Sequence, residues 1–159
     1  MRVLLLCSVT VAFVLSVAPA AQAQSGACSQ PMLQGVWSAT CTGFTDLSKL
    51  LPETPPGTMV PMSMISRGAI KADGTGTRTG SASVAGTVGQ IEMQETFKIN
   101  PDCTGEKTYI MKIPTLNLTL PGKATFVFIP GGVEFRMMLV NAGDVVTCKY
   151  QKMFNSTQF

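Results

Sequence analysis

Three features of the chain predict an all-β fold, an eight-stranded antiparallel meander closed into a β-barrel. Short apolar-alternating and β-branched runs recur along the sequence, Gly, Pro, Asn and Asp punctuate them, and no long helical period appears. The joins are mostly short enough for hairpins. Consecutive antiparallel strands that close on themselves lose their exposed edges and leave an interior that is packed or just wide enough for one small ligand. A two-sheet β-sandwich is the alternative that the same pattern allows.

Ahead of the strands, residues 1–23 read as a secretory signal peptide. Arg2 supplies a positive start, Val3 to Val17 is almost unbroken apolar sequence, and Ala21-Gln22-Ala23 is the small-x-small site a signal peptidase needs. The apolar run of about 15 residues is short of the roughly 20 that span a bilayer, so no membrane span is expected in the mature chain. Residues 24–159 have the length of a single β-barrel domain with one core.

Leu33 to Phe44 reads as the first strand, and Asp46 to Leu51 as one helical turn before a loop of Pro52, Pro55, Pro56 and Gly57. Met59 to Lys71 is a second, long strand. Ala72-Asp73-Gly74-Thr75-Gly76 has turn chemistry; strands at Ser81 to Thr87 and Gln90 to Ile99 follow, joined at Val88 and Gly89. Asn100 to Gly105 is another tight turn, and Glu106 to Ile113 a fifth strand. Pro114 to Gly122 reads as a loop with a short extended piece. Lys123 to Ile129, Val133 to Val140 and Asp144 to Lys152 complete the set, separated by Pro130-Gly131-Gly132 and Asn141-Ala142-Gly143.

Beyond the signal lie Cys28, Cys41, Cys103 and Cys148, an even number in a chain addressed to an oxidising compartment. Two disulfides are expected. Of the three connectivities, Cys28 with Cys41 and Cys103 with Cys148 is favoured, because each pair then falls in or beside strands that could be neighbours. CxxC spacing and histidine are both missing, so no metal site is expected.

The chemistry the composition excludes is broad. The chain has no histidine, which closes Ser-His-Asp and Cys-His mechanisms, and no Gly-rich phosphate loop opens a helix. Twelve Lys and Arg face nine Asp and Glu without long runs of either sign, so no nucleic-acid footprint is visible. No cofactor is implied.

Methionine is the compositional oddity: ten in the chain, nine of them after the signal. A flexible, polarisable side chain suits an irregular core, or a cavity that accepts variable apolar ligands. Strand parity puts Met62 with Met64; Ile91 and Met93 with Phe97 and Ile99; Tyr109 with Met111 and Ile113; and Phe135 with Met137 and Leu139. Glu95 shares the parity of Met93 and Phe97, so a regular strand aims its carboxylate inward, where an unpaired charge is expensive and its pKa tends to rise. Arg67 or Arg136 is then its expected partner, unless a bulge turns Glu95 outward.

Leu33-Gln34-Gly35-Val36-Trp37 resembles the Gly-x-Trp element that opens lipocalin-like barrels, where the Trp plugs the closed end; Lys149 or Lys152 stands near the place of the Arg that packs over it. Gly68 to Thr77 and Phe97 to Gly105, with their repeated Asp-x-x-Gly turns, resemble small secreted bacterial barrels and the allene-oxide-cyclase-like, calycin-type group. The resemblance implies a barrel closed at one end by Trp37.

The resulting expectation is a protein secreted to the extracellular space or periplasm that holds a small apolar or amphipathic molecule without covalent chemistry. Trp37, Met62, Met64, Met93, Glu95, Phe97, Met111, Arg136 and Met137 are the residues expected to meet it. An isomerase or cyclase using Glu95 or Tyr109 to move a proton, and a structural or surface-interaction module with a packed barrel, are the alternatives.

Overall fold

Small or apolar residues alternate with Thr, Ser and charged ones through β1 (Gly35–Asp46), β2 (Met59–Ile70), β3 (Thr75–Val84), β4 (Thr87–Ile99), β5 (Thr104–Ile113), β6 (Leu118–Ile129), β7 (Glu134–Leu139) and β8 (Val145–Lys152). That period of two buries one side of each strand and wets the other. The structure is a computed structural model that describes residues 27–129, 131–141 and 143–153; the signal expected over residues 1–23 lies outside them. Each strand pairs antiparallel with the next, and β8 returns to pair with β1, so the sheet is a closed barrel rather than a sandwich.

Several strand boundaries moved. The β3–β4 hairpin turns at Ala85 and Gly86, with φ of 50° and 85°, instead of at Val88 and Gly89. Two positive φ values in a two-residue loop match the twist of the strands they join, and Val88 and Gly89 are thereby drawn into the ladder opposite Ser83 and Ala82. At its other end β3 starts at Thr75 rather than Ser81. Asp73 accepts hydrogen bonds from the Thr75 amide and hydroxyl at 2.9 and 2.7 Å, so the turn is finished by Thr75 and the Gly/Thr sequence after it is free to pair. Asp102 and Thr104 repeat that arrangement at the β4–β5 hairpin. The extended piece foreseen within Pro114 to Gly122 is the beginning of β6.

One end of the barrel is filled by rings. Trp37, Phe97, Phe128, Phe135 and Tyr150 are all buried to within 1 %. Phe135 sits at their centre, 4.3 Å from Tyr150 in a stacked pair and 5.0 Å edge-on to Trp37, distances at which aromatic pairs attract beyond their buried area. A 3-10 turn, Gln30–Leu33, closes this end from below: the Trp37 indole donates to the Leu33 carbonyl at 2.7 Å, and the Gln30 amide bridges the Phe97 carbonyl and the Ile99 amide at the edge of β4. Lys152 lies over the Trp37 ring at 5.4 Å, whereas Lys149 pairs with Glu134 at 3.2 Å.

The disulfides are Cys28–Cys103 and Cys41–Cys148, which corrects the pairing favoured from sequence. Closure explains the difference, because it makes the first and last strands neighbours and sets Cys41 directly opposite Cys148 in the register. Cys28 meets Cys103 because the segment before Gln30 crosses the β4–β5 turn, where its amide donates to the Pro101 carbonyl at 3.1 Å. With partners separated by 75 and 107 positions in sequence, the chain-entropy model gives about 4–5 kcal/mol for each bridge.

Candidate functional site

The other half of the barrel is hollow. Between the ring cluster and the β1–β2 and β7–β8 connections lies a cavity of about 380 Å³, walled by Met62, Met64, Met93, Met111, Met137, Leu120, Leu139 and the Cys41–Cys148 bridge. It falls at the small end of the roughly 300–1,000 Å³ typical of small-molecule sites. Larger grooves cross the outer faces of β3 to β6 and of β5 to β8, but they are shallow and involve outward threonines.

A buried charged layer lies beneath the cavity, and of its members only Lys107 lines the space. Glu95, Arg78 and Lys107 retain only 3 %, 1 % and 2 % of their exposure. Register places them: Glu95 on β4 stands opposite Gly76 on β3 and Tyr109 on β5, so Arg78 and Lys107 are its diagonal neighbours on either side, each two residues along. The Arg78 Nε lies 3.2 Å from Glu95 Oε1, and the Lys107 Nζ 2.7 Å from Oε2. Arg78 also donates to the Trp37 carbonyl and the Ser66 hydroxyl and lies 4.5 Å over the Tyr150 ring. Its Nη2 has no hydrogen-bond partner among the described residues.

Lys107 faces upward from this group. Its Nζ donates to the Tyr150 hydroxyl at 2.9 Å and to the Met93 thioether at 3.5 Å, and Lys107, Tyr150 and Met93 all line the cavity. Burial opposes the ammonium charge, but the Tyr150 oxygen and the Glu95 carboxylate beside it outweigh burial and raise its pKa above the ordinary lysine value.

A polar rim surrounds the mouth. Asp144 accepts from Thr45 at 2.7 Å and from Asn141 at 3.0 Å, and pairs with Lys49 at 2.8 Å. Asn141 also donates to the Tyr109 hydroxyl at 3.2 Å. Tyr109 reaches this position by lying across Gly122, where a Cβ would collide with its ring. Burial lifts the Tyr109 phenol above its usual pKa, and the Asn141 hydrogen bond draws it partly back. Leu50 leans in from the β1–β2 connection, whose start is fastened by Asp46 accepting from the Ser48 and Gly57 amides.

The residues named from sequence therefore divide. Met62, Met64, Met93, Met111 and Met137 stand together on the cavity wall. Trp37 and Phe97 belong to the packed end, below it. Glu95 points inward without a bulge, but beneath the floor, with Lys107 between it and the space above. Arg136 is a correction: even parity on β7 sends it outside, with its side chain 60 % exposed and bound to Glu134. Arg67 is likewise exposed. The actual partners, Arg78 and Lys107, were missed for different reasons. Arg78 fell in the stretch left between turn and strand; Lys107 shares the parity of Tyr109, Met111 and Ile113, so that signal was present.

The chain matches no protein-family model, no curated protein and no solved structure. Its architecture, eight antiparallel strands in a closed barrel, is compatible with calycin-like barrels.

Proposed function

We propose that this is a secreted binding protein that holds a small apolar or amphipathic molecule in the open half of its barrel. The observation that carries the reading is the cavity of about 380 Å³ walled by five methionines above a polar floor. Unbranched thioether side chains adapt to ligands of different shape, while a few fixed polar groups set orientation. The signal-like segment over residues 1–23 and the two disulfides support export to an oxidising compartment. Glu95 is held on both oxygens by cations and lies off the cavity, so proton transfer by this carboxylate has no part in the reading.

Titration of the mature, oxidised protein with the neutral apolar dye Nile red tests it. A saturable one-to-one rise in fluorescence is expected, abolished by Met111→Trp, which fills the space. No uptake, together with a native mass equal to the bare polypeptide with two disulfides, would replace the binding reading with a packed structural module.

A further inference from the structure

We propose that the bound molecule is an anionic amphiphile, its head group held by the Lys107 ammonium and the Tyr150 hydroxyl and its tail among the methionines. The inference rests on the binding reading above and specifies its ligand class. Formal charge is the first argument. Arg78 and Lys107 bring two positive charges into the barrel against the single negative charge of Glu95, leaving a net +1 in a buried layer. An uncompensated buried charge is strongly unfavourable, so a second anion at this level completes the set.

The geometry says where that anion goes. Glu95 occupies the lower side of Lys107, and the upper side opens on the cavity. There the ammonium donates to the Met93 sulfur at 3.5 Å. A thioether is a weak acceptor, and a carboxylate or similar oxygen in its place would form a charge-assisted bond roughly twice as strong as a neutral one. Tyr150 accepts from Lys107, which leaves its own hydroxyl hydrogen to donate to the same head group. At the mouth Lys49 and Asp144 neutralise one another, so the excess charge lies at the floor and orients the ligand head down.

The test compares three probes of equal chain length by calorimetry below their micelle concentrations: laurate, dodecanol and dodecylamine. Laurate is expected to bind at least about tenfold more tightly than dodecanol, the scale of one hydrogen bond to a charged group, with dodecylamine weakest. Lys107→Met, which leaves Glu95 and Arg78 as a balanced pair, should collapse the laurate-to-dodecanol ratio toward one. Should that variant fail to fold, Tyr150→Phe should lower the ratio by removing the second donor. Equal binding of laurate and dodecanol by the native protein, with Nile red still taken up, would overturn the anionic assignment and leave the binding reading intact. Tyrosinate absorbance at neutral pH in the empty protein would also overturn it, because Tyr150 would then supply the missing negative charge. Failure of every probe, Nile red included, would remove both.

Discussion

The same strands line both halves of the barrel, yet at one end they carry rings and at the other methionines. On the inner face of β4 only Glu95 separates Phe97 from Met93, and on that of β7 Phe135 and Met137 are adjacent. Below, the rings interlock at centroid distances of 4.3 to 6.4 Å. Above, the same alternation places longer and softer side chains around open space. The polarity pattern that builds a barrel therefore does not decide whether it is filled. Side-chain shape decides that, and the Arg78–Glu95–Lys107 layer marks the change from one regime to the other.

Truncation at each end should expose the contrast most strongly. Phe135→Ala removes the centre of the ring cluster and should lose about 3–5 kcal/mol in urea unfolding, the range for large-to-small changes in filled cores. Met62→Ala beside the cavity should lose only about 1 kcal/mol, because part of its surface already faces space without partner atoms. Equal losses would mean that the open half is packed in solution.

At the boundary, Glu95→Gln leaves two buried cations without their carboxylate and should lose about 3 kcal/mol, comparable with breaking a buried ion pair. A neutral or stabilising result would show that the charged layer is not required for the fold.

A smaller, pH-dependent effect separates the barrel interior from the turns. Lys107 and Tyr109 both hold their protons more tightly when folded. Their contribution is complete below the ordinary values near about 10 and is lost as pH rises through the folded ones. The urea midpoint should stay level through neutral pH and fall in alkali, with a shallower fall in Lys107→Met. Acid acts elsewhere: Asp46, held by the Gly57 amide and Ser48, and Asp73 and Asp102, held by Thr75 and Thr104, have lowered pKa values. Their contribution is present above the ordinary carboxylate range and disappears as pH drops through the folded values.

Much of the barrel was legible because alternation and turn residues are local signals. Val145 to Lys152 could be recognised as a strand from its own residues. That a closed meander sets this strand against β1 was contained in the expected fold, but the favoured disulfide pairing did not follow that consequence through to Cys41 and Cys148. The methionine wall was readable from parity, whereas the hollow above Lys107 depends on the sum of side-chain volumes across the barrel. Arg78 was hidden in the stretch left between a turn ending at Gly76 and a strand begun only at Ser81, whereas β3 already starts at Thr75.

The Cys41–Cys148 bridge has a consequence for how quickly anything enters or leaves. A closed sheet parts most readily where no turn joins adjacent strands, and in this chain that place is between β1 and β8. The bridge locks it at the level of the cavity, since both cysteines line the wall. Under the proposed binding reading, traffic would then be confined to the mouth, lined by Lys49, Asp144 and Leu50. Reduction would add a lateral door. In stopped-flow displacement of Nile red, the oxidised protein should release the dye more slowly than a Cys41→Ser/Cys148→Ser form of similar affinity; identical rates would place the route entirely at the mouth in both.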